Sequence, residues 1–205
     1  MIGGNERAPL EEIMETFQAK AADMDSYTIY VVPHSHIDVE WYWDYPETIR
    51  KVNAIFGSAL QLIRRDPEYN FSQDQVLCIE PFLERLSGSD REEFVRLCRE
   101  GRFEVVGGMY VQPEVAEPCG ESLIRQILIG KQWFKDNLGL EDVPVAWNSD
   151  TFSQVSQLPQ ILAKSGFGYN GCTPKQNAEF DRVCSLRWTE FQALVNGNRR
   201  KRYDI

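Results

Sequence analysis

Histidine is almost missing from this sequence: 205 residues contain two, His34 and His36, and none follows them. That scarcity excludes any metal centre built on three or four imidazoles. Long apolar runs are missing too. No segment approaches the ~20 residues needed to cross a bilayer, and the opening "MIGGNERAPLEEIMETFQAKAADMD" is polar and charged, without the apolar core of a secretory leader. No Cys-x-x-Cys pair occurs. The five cysteines, Cys78, Cys98, Cys119, Cys172 and Cys184, are odd in number and widely spaced, which suits reduced thiols in a cytoplasmic protein rather than a disulfide framework. A sequon at Asn70 would go unused there. Positive charge is also scarce. The formal net charge of -9 argues against nucleic acid as a partner, and the basic run Arg199 to Arg202 reads as a solvated tail.

What remains is ordinary for one globular domain, with 42% hydrophobic and 26% charged residues. Leu10, Ile13, Met14 and Phe17 fall at helical spacing and define an N-terminal helical segment, residues 1–27. The run "YTIYVVP" then reads as a strand covered on both faces and stopped by Pro33. From Pro46 to about Arg65, Ile49, Val52, Ile55, Phe56, Ala59, Leu60 and Ile63 recur every three or four residues, which predicts a long helix. A short extended piece, "YNFS", leads to helices near 75–86 and 90–99. "RFEVVGGMYV" predicts a strand and a glycine turn, 121–137 a helix, "VPVAWNSD" a strand, 158–165 a helix, and "GYNGCTP" a last strand. Strands alternating with helices indicate an α/β fold with a parallel sheet, whose chemistry gathers at the carboxyl ends of the strands. His34, Asp150 and Lys175 each lie just past such an end.

The stretch "HSHID" sets His34, His36 and Asp38 two apart, so in extended chain all three share a face. Imidazole nitrogen and carboxylate oxygen suit zinc, and histidines packed as core or loop residues are the competing reading. His-x-His after a first strand also opens zinc amidohydrolases and deacetylases, but these need histidines downstream. A site here must be completed by carboxylate. Asp150 in "WNSDTF", between Trp147 and Phe152, is a candidate; taken alone it reads as the N-cap of the helix leading to Leu158. Trp41, Tyr42, Trp43 and Tyr45 suit core packing or stacking on sugar rings. Glu114 and Glu117 belong either to a second wall of a cleft or to a solvated loop.

Taken together, "HSHIDVEWYW", "PETIRK", "GRFEVVGGMYVQPE", "GES", "WNSDTFSQVSQLPQIL" and the lysine of "CTPK" resemble the N-terminal catalytic region of family 38 glycoside hydrolases, the class II alpha-mannosidases. The likeness runs from about Thr28 to Gln176. It implies a parallel, barrel-like β/α catalytic domain, seven-stranded in the family, occupying 28–184 and incomplete here, with 185–205 a divergent basic end. It implies one zinc ion, replaceable by cobalt or manganese, held by His36, Asp38 and Asp150, with His34 in a supporting place. Asp150 would be the catalytic nucleophile of a retaining hydrolase that removes alpha-linked mannose from oligosaccharides. Trp41 would be the platform under the sugar, and Lys175 a basic residue near the nucleophile.

Three features depart from the family's pattern. Ser153 stands where relatives have glycine, Asn148 and Ser149 precede the nucleophile, and no histidine is present to serve as a fourth ligand. The family's general acid would lie beyond residue 205. The expectation is therefore a fragment that binds zinc weakly, turns over little substrate alone and tends to self-associate, the other reading being a catalytically dead carbohydrate- or metal-binding remnant.

Overall fold

The computed structural model describes residues 32–152 and 155–172, with the backbone alone at Cys172. The N-terminal helical segment, most of the first strand, Ser153, Lys175 and the basic end lie outside the described residues.

Helix α1, Tyr45–Arg65, begins where Asp44 accepts the Glu47 backbone N–H at 3.1 Å and Pro46 sits in the first turn. Glu47 near its start and Arg64 and Arg65 near its end suit the helix dipole. One face buries Val52, Phe56, Ala59, Leu60 and Ile63, the stripe predicted from spacing. Strand β1 is Phe71–Gln73, followed by α2, Val76–Arg85, and α3, Gly88–Arg99. Strand β2 is Phe103–Val105, then come α4, Gly120–Leu138, and β3, Val145–Asn148. Helix α5, Leu158–Lys164, and strand β4, Tyr169–Cys172, complete the described order.

All strand pairing among the described residues is parallel. β1 pairs with β2 from Phe71↔Phe103 to Gln73↔Val105, and β3 with β4 from Val145↔Tyr169 to Asn148↔Cys172. The Gly107 N–H donates to the Val145 carbonyl at 2.8 Å and joins the two pairs. On the far side of β1, His34 bridges Ser72, whose N–H donates to the Pro33 carbonyl at 2.8 Å. The strands thus run side by side in chain order, as expected when each returns through a helical crossover. Among the described residues they form an open array and close no barrel.

One face of the array carries the helices. Phe71 and Phe103 pack against Phe56, with Phe82 and Phe94 completing a buried aromatic cluster. A second core joins Met109, Leu123, Ile127, Ala146, Leu158, Leu162 and Phe167. On the other face the strands approach one another closely at one point. A Cβ built on Gly107 would stand 2.9 Å from the Asp74 Cβ and 3.8 Å from the Trp147 Cβ. Facing residues of neighbouring strands ordinarily keep Cβ atoms about 4.5–5.5 Å apart, so the inner side is compressed, and glycine is the residue that tolerates it. His34 and Trp147 meet across this face, ring centroids 5.0 Å apart.

Loops past the strand ends lock together before any side chain of the cleft is placed. Two N–H groups of α2 that lack helical partners, Val76 and Leu77, donate to the carbonyls of Met109 and Tyr110 at 3.3 and 3.0 Å. The Tyr110 and Val111 N–H groups donate in turn to the Gln126 carbonyl and its side-chain oxygen, both at 3.0 Å. α4 approaches this loop so closely that a Cβ on Gly130 would lie 2.5 Å from the Met109 carbonyl carbon. No helix of the described residues is long and apolar enough to cross a membrane.

Candidate active site

His36, Ile37 and Asp38 follow the His34 bridge as loop. Ile37 is buried in the core, whereas His36 and Asp38 are less buried and line the cleft. Their backbone is held from two sides: the Gln75 side-chain amide donates to the Ile37 carbonyl at 3.1 Å, and the Thr48 hydroxyl donates to the Val39 carbonyl. Asp150 comes from the turn after β3, with φ 58°. It shares the left-handed region with Gln75, φ 64°, and these are the two non-glycine residues with positive φ among the described residues. Both line the same cleft. Backbone held in this region is strained and clusters where a site requires it.

The cleft has a volume of about 310 Å³. On its wall the His36 Nε2 lies 3.3 Å from an Asp38 oxygen and 3.5 Å from an Asp150 oxygen. One donor atom from each of the three residues lies within 4.8 Å of the others. The far ring nitrogen, Nδ1, is 3.1 Å from the Ser149 hydroxyl. One imidazole nitrogen and two carboxylate oxygens at this spacing fit a small divalent cation of the zinc, cobalt or manganese kind.

His34 parts from this group. The two-residue period predicts one shared face, but the ring of His34 turns toward Asp74 and Trp147, away from His36 and Asp38. There its Nε2 is 3.5 Å from the buried Asp74 and the ring rests on Trp147. The strand is irregular here, a lone bridge and then loop, so the period fails after one step. Asp150 is not a helix cap: α5 is preceded by Gln157, and no side chain caps it.

Trp41 lines the cleft, 62% exposed, with its ring edge-on to Tyr42 at 5.0 Å. Phe152 lies across from it in sequence and is 70% exposed. Trp43 and Tyr45 are structural, whereas Tyr42 is 91% exposed. Trp43 donates to the Thr48 hydroxyl at 2.9 Å and lies under Lys51, and Tyr45 donates to the Leu77 carbonyl at 3.1 Å. Glu114 lines the cleft and accepts the Phe152 N–H at 2.9 Å, so the loop after β2 is a wall of the cleft at that residue.

Three glutamine and serine contacts escaped the sequence reading. The Gln75 side-chain oxygen accepts the Gln112 N–H at 3.1 Å, and the Gln112 side-chain amide donates to the Ser149 carbonyl. With the Gln75 bond to Ile37, these tie the loops after four neighbouring strand positions, the His34 bridge, β1, β2 and β3. "SQDQ" and "NSD" hold the residues but no periodic signal that marks them.

A chain-ordered parallel α/β array with a cleft past its strand ends is the arrangement in which enzyme sites of this fold class gather, and similarity to known proteins gives the family. Residues 26–178 match the Glycosyl hydrolases family 38 N-terminal domain, and the chain belongs to that family. It is 38% identical over 142 residues to "Alpha-mannosidase 2C1" of Homo sapiens, covering 68% of this chain and 13% of that protein. To "Alpha-mannosidase" of Saccharomyces cerevisiae it is 33% identical over 138 residues, covering 67% of this chain and 13% of that protein. The chain thus spans about an eighth of the length of these curated relatives. Among solved structures, an alpha-mannosidase from Enterococcus faecalis V583 matches with a TM-score of 0.63 and 26% identity, over 70% of this chain and 16% of that one. A 4-alpha-glucanotransferase from Thermococcus litoralis shares the fold alone, with a TM-score of 0.51 and 18% identity over 69% of this chain and 21% of that one.

Proposed function

We propose that this chain carries the nucleophile and metal-binding side of a retaining glycosidase site that removes alpha-linked mannose from oligosaccharides. The observation that carries the reading is the meeting of His36, Asp38 and Asp150 in one cleft, drawn from opposite ends of the described chain. His36 through Nε2, and Asp38 and Asp150 through one oxygen each, would hold a zinc ion, with cobalt or manganese as alternatives. When bound, the ion supplies Lewis-acid character and a fixed point for sugar hydroxyls.

The chain's own residues supply the rest. Trp41 offers an exposed indole face on which the C–H side of a hexose stacks. The Asp150 carboxylate attacks the anomeric carbon and forms a glycosyl ester as the bond to the leaving oxygen breaks. That oxygen takes a proton from a second carboxylic acid, which then removes a proton from the water that opens the ester, so configuration is retained. The family resemblance puts that acid beyond residue 205, and gives Lys175 a place beside the nucleophile. The chain-ordered parallel strands support a seven-stranded barrel to which these strands would belong. Buried, unpaired Cys78 and Cys98 support a cytoplasmic setting.

Zinc titration with a competing chromogenic chelator, run beside hydrolysis of a chromogenic alpha-mannoside, tests the reading. The chain should bind one zinc ion per molecule, and Asp150→Ala should lose both that binding and whatever slow hydrolysis the chain performs. Equal binding by the chain and by Asp150→Ala would refute the proposed donor set.

A further inference from the structure

The imidazole of His36 stands between two different kinds of partner. Its Nε2 faces two carboxylates, at 3.3 Å in Asp38 and 3.5 Å in Asp150. Its Nδ1 faces one hydroxyl, Ser149 Oγ, at 3.1 Å. Carboxylates only accept hydrogen bonds when ionised, whereas a serine hydroxyl both donates and accepts. In the ion-free chain, the neutral ring therefore keeps its proton on Nε2, donating toward the carboxylates, and Nδ1 accepts from the Ser149 hydroxyl. An ion bound at Nε2 requires that nitrogen's lone pair. The ring proton then belongs on Nδ1, which donates to Ser149 Oγ.

A carbonyl or carboxylate in the place of Ser149 would accept in both cases and hold one tautomer throughout. The hydroxyl has a hydrogen bond for each. It is also held in place: Ser149 is 8% exposed, and its carbonyl accepts the Gln112 side-chain amide, which belongs to the same hydrogen-bonded chain as Gln75 and Ile37. Ile37 lies between His36 and Asp38, so the network that fixes the hydroxyl also fixes the ring's backbone.

We propose that Ser149 is a positioning residue that allows His36 to exchange tautomers when the site takes up a divalent ion. The inference rests on the metal reading above and adds the partner that makes ion binding reversible without stranding a ring nitrogen. No covalent step is involved; one ring proton leaves Nε2, one is taken up at Nδ1 through solvent, and the hydroxyl rotates.

The chain's two histidines make the test direct, because a long-range proton–nitrogen spectrum of histidine-labelled protein contains two rings, with His34 as an internal control. The ion-free chain should show His36 protonated on Nε2, the nitrogen that faces the two carboxylates. Saturating zinc should move the proton to Nδ1. Ser149→Ala should weaken zinc binding about 10- to 100-fold, the range found when a ligand's outer partner is removed. Ser149→Thr, which keeps the hydroxyl, should recover most of that loss. Circular dichroism of both variants separates folding from positioning. His36 already protonated on Nδ1 without zinc, or zinc binding as tight in a folded Ser149→Ala as in the parent, would overturn the proposal while leaving the metal site standing. If zinc leaves the His36 resonances unmoved, the metal site itself falls, and the proposal with it.

Discussion

Replacing Gln75 by alanine offers a measure of how much the cleft depends on its clamp. The side chain is buried, 3% exposed, and makes two hydrogen bonds of 3.1 Å, one to the Ile37 carbonyl and one from the Gln112 N–H. A typical hydrogen bond contributes a net ~1 kcal/mol, and a buried group left without its partner costs about 1–3 kcal/mol. Two stranded backbone groups therefore predict a loss of about 2–6 kcal/mol in urea unfolding. For a domain of this size that lowers the melting temperature by on the order of 5–25 °C. Alanine keeps the strain of φ 64°, whereas glycine at the same position adopts that angle freely, so Gln75→Gly should be the milder change by about 1 kcal/mol. Zinc binding should weaken in both, because Ile37 is the hinge between His36 and Asp38. A loss below about 0.5 kcal/mol in Gln75→Ala, or a glycine variant worse than the alanine one, would show that the clamp and the strain do not act as described.

Two further outcomes follow from the core and the thiols. Phe56 is fully buried, with the rings of Phe82 and Phe103 each at 5.3 Å, so Phe56→Ala should lose about 3–5 kcal/mol in the same unfolding assay; a change under about 1 kcal/mol would mean the aromatic cluster does not organise this half of the core. Among the described cysteines, Cys119 is exposed and its pKa is lowered by hydrogen bonding with Ser122, whereas burial pushes Cys78 up to about 12 and Cys98 higher still. Near neutral pH iodoacetamide should therefore mark Cys119 well before the other two, with peptide mapping as the readout; equal labelling of Cys98 in the folded chain would contradict its burial.

The helices were legible because their signal is periodic and long. The stripe from Val52 to Ile63 repeats the helical turn over five buried positions, and Asp44 and Pro46 mark its start. The strands were legible for a weaker reason, as short apolar runs between helices, and the structure trims them to three or four residues. His36 and Asp38 were legible by spacing, and Asp150 by its place after a strand. The divergence of His34 was not, since it depends on where the ladder gives way after one bridge. Nor was the geometry of Asp150. Its turn looked like the approach to a helix, but α5 begins eight residues later, and what the turn provides is a positive φ. Gln75, Gln112 and Ser149 act through amide and hydroxyl contacts across 37 to 113 positions of sequence, distances over which one sequence carries no local pattern.

Because each strand lies beside its immediate predecessor, the pocket is a seam between an early and a late stretch of polypeptide. His36 and Ser149 are 113 positions apart, and a ribosome adding about 5–20 residues per second leaves the first waiting roughly ten seconds for the second. Nothing shorter than the whole run of stacked units brings the imidazole and the distant carboxylate together. The proposed donor set is in that sense the chain's own record that assembly has reached Asp150.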